Sequence, residues 1–184
     1  MKIGSLDFCF ENSLVRIIAN RNYPETALAG LTVGPFSEGT EYEVYQWIAQ
    51  ELAAQGIVHF REDDRLDATK LYKIQWKERV QVAGQISELT EDFYPKLRRY
   101  LANLKQESMT PEKVQEYGKA KNLAWDIVNS RLKKIVALSS GPAQTEQVVK
   151  KFTSEEKFIY EQFSKLINEW KTQILDHNGE SVAK

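Results

Sequence analysis

Apolar positions change their period near residue 65. From Leu66 onward they return every three or four residues, the spacing of one helix face; before it they come in short runs broken by glycine and turn-forming residues. The clearest stripe is Phe93, Leu97, Tyr100, Leu101 and Leu104, with Lys96, Arg98 and Arg99 mostly off it. Pro95 fits that helix only within its first turn, so Glu91 or Asp92 is the expected cap. Upstream, Asp67 is expected to cap a helix carrying Tyr72, Trp76, Val80 and Ala83 and stopping near Gly84. Thr110-Pro111 opens a third helix, with proline at its first position, running through Val114, Tyr117, Ala124, Val128 and Ile135 to Ser139-Ser140-Gly141-Pro142. Thr153-Ser154-Glu155-Glu156 has the form of a capping box and precedes Ile159, Phe163, Leu166, Ile167, Trp170 and Ile174. Residues 66–176 therefore predict a bundle of about four long helices, with 139–152 a mobile loop and 177–184 a flexible tail.

Residues 1–65 predict a small β-rich domain of mixed β/α character. Leu6–Phe10 and Leu14–Ala19 flank the turn-prone Glu11-Asn12-Ser13 and read as a strand pair. Gly30, Gly34-Pro35 and Gly39 break up a segment that cannot be helical. Thr40 with Glu43 three residues on reads as a capping box, starting a helix through Val44, Trp47, Ile48 and Leu52 that Gly56 ends. Ile57–Phe60 reads as a strand and Arg61–Arg65 as a charged junction. The fold class is α+β, mainly α.

Composition adds bounds. A chain of 184 residues holds one ordinary domain, or one plus a small appendage, and 42% hydrophobic residues exclude wholesale disorder. The net charge of −1 argues against a generic nucleic-acid-binding surface, though not against a local basic patch. Charge is nevertheless uneven: residues 1–65 hold 5 Lys/Arg against 10 Asp/Glu, and residues 66–184 hold 20 against 16. An acidic module thus precedes a basic one. The N-terminal residues lack the apolar core of a signal peptide and no run approaches a membrane span, so a soluble, intracellular protein without membrane contact is expected.

Catalytic signatures are missing. There is no phosphate-cradling glycine loop, nucleophile elbow or His-Glu-x-x-His pair. One cysteine, Cys9, excludes an intrachain disulfide, and His59 and His177 are too far apart in sequence for a Cys/His zinc site. Cys9 sits in an apolar pattern that predicts a buried thiol, and His59 on an alternating strand predicts a structural role. Glu62-Asp63-Asp64 offers oxygen ligands, but without a second carboxylate cluster it reads as a solvated turn. No enzyme activity, cofactor or metal is expected.

Two basic clusters, Lys96-Leu97-Arg98-Arg99 and Arg131-Leu132-Lys133-Lys134, read as solvated helix faces, with contact to phosphate (weak binding of DNA) or to an acidic partner the functional alternative. Arg131 stands apart because it falls close to the line from Val128 to Ile135; a guanidinium there needs a carboxylate or several carbonyls. The aromatic load is high: Trp76, Trp125, Trp170, Tyr94, Tyr100, Tyr117 and Tyr160 exceed what one core requires, leaving rings for a subunit interface. Tyr94, Trp125, Arg131 and Tyr160 are the expected interface residues.

Several segments resemble GINS replication-complex subunits. Leu89-Thr-Glu-Asp-Phe93-Tyr94-Pro95-Lys-Leu-Arg-Arg-Tyr100-Leu101 is similar to a helix opening in the GINS helical domain. Asn122-Leu-Ala-Trp125-Asp-Ile-Val-Asn-Ser-Arg131-Leu-Lys-Lys-Ile135-Val136 resembles a later helix, and Phe152-Thr153-Ser-Glu155-Glu156-Lys-Phe-Ile-Tyr160 the start of the last. Gly34-Pro35-Phe36 through Glu43, Trp47-Ile-Ala, Glu51-Leu and Gly56-Ile-Val resemble the small domain. The likeness spans about residues 28 to 176. GINS subunits occur in two domain orders. This chain has the small domain first, while its Asp92-Phe93-Tyr94 helix is closer to the other class, which leaves the subunit class open.

The resemblance implies a non-enzymatic subunit of a tetramer, homo- or heteromeric. Such a complex scaffolds the MCM replicative helicase with a RecJ-like partner at the replication fork, in the nucleoid of a compact archaeal system or in a eukaryotic nucleus. The competing reading is a winged-helix-like DNA-binding transcription regulator, with 43–55 as the recognition helix and Gly56-Ile57-Val58-His59-Phe60 entering a wing. Glu43 and Glu51 on that helix, with no Lys or Arg, would repel phosphates.

Overall fold

The computed structural model describes residues 3–62, 65–81, 85–107, 109–142 and 144–175. The chain forms two compact units, Met1–Asp67 with Pro95–Tyr100, and Ala68–Tyr94 with Leu101–Lys184. The expected 177–184 tail, Ala83, Gly84 and His177 lie outside the described residues.

The first unit is built on a three-stranded antiparallel sheet of order β4-β1-β5, from β1 (Leu14–Ala19), β4 (Glu41–Tyr45) and β5 (Val58–Phe60). Ile17 pairs with Tyr42 on one side and Phe60 on the other. Alternation along β1 and β4 sends Val15, Ile17 and Val44 to one face, where helix α2 (Gln46–Ala54) lays Ile48 and Leu52 against them. The hairpin β2 (Thr26–Leu28) and β3 (Leu31–Val33) turns through Ala29 (φ 48°) and Gly30 (φ 84°). Positive φ at both central residues matches the twist of the flanking strands.

Two expectations are corrected here. Leu6–Phe10 is not a strand but part of helix α1 (Ile3–Glu11): the Asn12 and Ser13 N–H groups return to the Phe8 and Phe10 carbonyls at 3.1 Å. The Thr40–Glu43 pair is not a capping box. The Thr40 N–H closes a turn onto Ser37, Glu41–Tyr45 is extended, and α2 starts only at Gln46 with Tyr45 as its N-cap. Glu-Tyr-Glu-Val-Tyr alternates with period two, and that pattern prevails over the local capping signal. The expected Gly56 stop holds, with φ 68°.

The helical unit contains α3 (Ala68–Val80), α4 (Phe93–Gln106, outside its Pro95–Tyr100 segment), α5 (Pro111–Ser140), α6 (Glu146–Val149) and α7 (Ser154–Leu175). Thr110 caps α5 through Oγ1, accepting the Lys113 N–H at 3.4 Å, with Pro111 at the first helical position. Asp92 occupies the N-cap position of α4, but its side chain makes no capping hydrogen bond. Glu91 instead accepts the Ser154 N–H at 2.8 Å, at the start of α7. Helix α5 is the hub, packing against both α3 and α7. Within 139–152, expected as a loop, α5 continues through Ser140 and α6 brings Val148 and Val149 against the cluster of Ile86, Ile135, Leu138 and Phe152.

Candidate assembly surface of the helical unit

Inside the helical unit lies a polar centre, organised by Arg131 at 0% exposure. It begins with the capping box: the Glu156 N–H donates to Thr153 Oγ1 at 3.4 Å and the Thr153 N–H donates to Glu156 Oε2 at 3.2 Å. The same carboxylate receives the Arg131 fork, Nε on Oε1 and Nη2 on Oε2 at 2.6 Å, and the Tyr94 hydroxyl at 2.7 Å. On the other side Arg131 Nη1 donates to Glu78 Oε1 at 2.6 Å and to the Ser87 carbonyl at 2.9 Å. Lys134 Nζ donates to Glu78 Oε2 at 2.6 Å and to the Glu78 carbonyl at 2.8 Å, and the Ser87 hydroxyl donates to Glu78 Oε1.

Two cations and two carboxylates thus neutralise each other, the condition under which buried charge is tolerated. Burial alone would raise the Glu78 carboxyl, but hydrogen bonds from Lys134 and Ser87 and the charges of Arg131 and Lys134 outweigh it and hold the pKa below the ordinary value. Burial, with the adjacent Glu156 charge, pushes the Tyr94 hydroxyl up. Burial works against the Arg131 charge, yet Glu156 and Glu78 leave the guanidinium more firmly protonated than usual. The centre ties α3, α5, α7 and the 85–94 segment into one arrangement.

That arrangement decides which helix faces are left outside. Gln75 and Glu78 turn inward to meet Asp126 and Arg131, so Tyr72, Trp76 and Val80 turn outward, roughly 130° round α3. On α5 the buried line is Ala120, Ala124, Ile127, Arg131, Ile135 and Leu138. Trp125, Val128, Leu132 and Val136 form a second apolar line roughly 115° away and open to solvent. Helix α7 likewise leaves Leu166, Trp170 and Ile174 open. Trp76, Trp125 and Trp170 are 59%, 68% and 60% exposed.

Of the four expected interface residues, Trp125 alone lies on this outer surface. Arg131 does not: its guanidinium is fully engaged by internal partners, so it shapes the surface only through the helices it fixes. Tyr94 is half-buried against Glu156, and Tyr160 is half-buried against Phe152, with ring centroids 5.2 Å apart. Of the apolar stripes expected on the first and last helices of the bundle, Tyr72, Trp76, Val80, Leu166, Trp170 and Ile174 face outward. Sequence reasoning gave no role to Glu78, gave Glu156 only the capping box and placed Lys134 on a solvated face; a charged residue on the line of an apolar stripe, the clue used for Arg131, was the available signal.

The basic clusters are solvated only in part, with Lys133 exposed. Lys134 and Arg131 are buried, and within the first unit Arg98 Nε donates to Asp7 at 3.0 Å. Arg99 meets Glu11 at 3.4 Å and lies over the Phe10 ring at 4.6 Å. Cys9, expected buried, is exposed on α1 because its segment is helical. His59 is exposed on β5, with Nδ1 2.5 Å from Asn20 Oδ1. Of the acidic triplet, Asp63 and Asp64 lie outside the described residues. Among the described residues no three His, Cys, Asp or Glu side chains gather where they could hold a metal ion, and no helix is long and apolar enough to cross a membrane. The recognition helix of the regulator reading does not exist as such, since Glu43 belongs to a strand.

Comparison with known families yields two matches in chain order. A model described as the PSF2 N-terminal domain covers residues 2–59, and one described as the GINS complex protein helical bundle domain covers residues 62–175. No curated protein matches the chain.

Proposed function

The chain belongs to the GINS family, as a PSF2-like subunit of the complex that serves DNA replication, and we propose that it acts there as a non-enzymatic scaffold within a tetramer. Members of this family associate with one another and are non-catalytic scaffolds. The PSF2-type N-terminal match assigns the subunit class that the Asp92-Phe93-Tyr94 helix opening left open. In this proposal the complex joins the MCM replicative helicase to a RecJ-like partner at the fork, in an archaeal nucleoid or a eukaryotic nucleus.

The observation that carries the assembly reading is the second apolar line on the helices. Three tryptophans, each more than half exposed, stand with Tyr72, Val128, Leu132 and Leu166 on the outer helix faces, and large apolar side chains left open in this way mark interaction surfaces. Tryptophan and tyrosine at such positions are the residues that dominate interface energies. In this reading the outer faces of α3, α5 and α7 are covered by neighbouring subunits.

The test is the solution mass by light scattering, first of the chain alone, then with the other GINS subunits, then with MCM helicase. A species of about four chains that gains mass on adding helicase supports the proposal. A chain that stays monomeric with its partner subunits present overturns it.

A further inference from the structure

We propose that the free edge of β4 is a docking strand for an extended, basic segment of a partner protein. Among the described residues, the sheet order β4-β1-β5 leaves one side of β4 without a strand. Hydrogen bonding alternates along an antiparallel pair, and its phase is fixed at both ends. The Gln46 N–H donates to Ser13 O at 2.9 Å and the Ala19 N–H to Thr40 O at 3.1 Å. With Leu14 opposite Tyr45 and Ile18 opposite Glu41, the pairs bonded to β1 are those of Tyr42 and Val44. The N–H and C=O of Glu41 and Glu43, and the N–H of Tyr45, therefore point to the open side.

Natural edges are usually blunted by proline, lysine, a bulge or short length. The five residues Glu-Tyr-Glu-Val-Tyr have no proline, lysine or bulge, and the opposite edge, β5, is only three residues long. What guards the β4 edge is the charge of Glu41 and Glu43, which disfavours an acidic strand but not a basic one. The side chains beside the open groups say what would pair there. Glu41, Glu43 and Tyr45 are all exposed on one face of the sheet. From Asn22 to Phe60 the chain holds five Glu and no Lys or Arg. Among the described residues Arg16, which lies opposite Glu43 on β1, and Arg61 reach Glu41 at 3.7 and 3.5 Å, and these two side chains are the cations of the sheet face.

A second copy is a poor occupant: antiparallel β4-to-β4 pairing centred on Glu43 would set that carboxylate against its own duplicate. A strand with alternate Lys or Arg would instead place cations along Glu41 and Glu43, with its backbone supplying affinity. This edge involves none of the residues of the assembly surface, so it stands or falls separately from the scaffold proposal.

The test is backbone amide exchange by NMR on the full chain, with a short alternating lysine–valine peptide as the probe. In the free chain the amides of Tyr42 and Val44 are protected and those of Glu41, Glu43 and Tyr45 exchange fast. The peptide should slow the latter three by at least about tenfold, the effect of new ladder bonds. Glu43→Pro removes an outward-pointing donor together with one carboxylate and breaks no bond to β1, so it should abolish that slowing while Tyr42 and Val44 stay protected. Glu43→Gln, which keeps the donor and loses only the charge, should weaken the slowing without abolishing it. Glu43→Lys, which keeps the backbone donor, should shift preference to an alternating glutamate–valine peptide. The proposal is overturned by any of three results: no slowing with the lysine peptide, equal slowing of the wild-type chain by both peptides, or amides already protected in the free chain.

Discussion

Arg131 on α5 and Glu156 in the first turn of α7 meet fork to fork, with both carboxylate oxygens engaged. Glu156, the third residue of α7, also closes its capping box with Thr153. One carboxylate thus starts α7 and docks it on α5, so the local helix signal and the tertiary contact are a single device. Such charge-assisted, bidentate pairs are among the stronger and more directional contacts available to a core.

Arg131→Met should therefore destabilise the chain by about 3–5 kcal/mol, because Glu156 loses its counter-ion while remaining buried. Arg131→Met combined with Glu156→Gln should recover part of the loss, since no unpaired charge then remains at that side. Urea unfolding of the three proteins measures both effects. A single variant with an unchanged midpoint would show that the buried pair carries no stability.

Glu78 gives the acid limb its sign. Its folded pKa is lower than the unfolded value near 4.5, so between the two the unfolded chain binds more protons. The stabilisation is complete above that unfolded value and is lost as pH falls through the folded one. Glu78→Gln should lower stability at neutral pH and flatten the decline below pH 4.5. Tyr94 acts in the opposite sense: its raised pKa keeps the hydroxyl neutral, and that contribution fades as pH rises above 10. Tyr94→Phe should remove its share of the alkaline decline. Melts across pH check both, and parallel profiles for either variant and the parent would refute the assignment.

The order of elements was legible in the sequence wherever apolar period and punctuation agreed. Phe93 through Leu104, Thr110-Pro111 and Thr153 with Glu156 all form the helix or cap that they predict. The faces were harder to read. Hydropathy treats Gln75, Glu78, Arg131 and Lys134 as solvent-seeking, which turned the α3 stripe outside in, while on α5 Ala124 and Ile135 are buried and Val114 and Val128 are open. The mutual neutralisation of Glu78, Arg131 and Lys134, invisible along a linear sequence, brings these charges to the core. Arg131 was the exception, since its place near an apolar line demanded a carboxylate. The Leu6–Phe10 error has a simpler cause: a short apolar run fits helix or strand equally until its hydrogen bonds are known.

Gly56 ends α2 in a Schellman arrangement: the Ile57 N–H donates to Leu52 O and the Gly56 N–H to Ala53 O, both at 3.0 Å. A Cβ at Gly56 would touch nothing within 4 Å, so Gly56→Ala is resisted only by the positive φ of 68°. The expected cost is about 1–2 kcal/mol. Thermal unfolding with unchanged far-UV dichroism checks it, and a Tm equal to the parent's would mean that the turn relaxes freely.

Trp125 separates assembly from folding. Its side chain lies on the outer line of α5 and is 68% exposed, so Trp125→Ala should alter the stability of the isolated chain by no more than about 0.5 kcal/mol. If the outer faces are subunit contacts, the same change should weaken assembly by about 2 kcal/mol or more, roughly thirtyfold. Arg131→Met would also reduce assembly, but only along with helicity, because its side chain reaches no outer surface. The decisive comparison is light scattering near the dissociation midpoint, read beside circular dichroism for both variants. Loss of mass with helicity retained in Trp125→Ala places this ring in the interface. Full mass at that concentration removes it, and leaves the exposed α5 line of Val128, Leu132 and Val136 to be explained by something other than a neighbouring subunit.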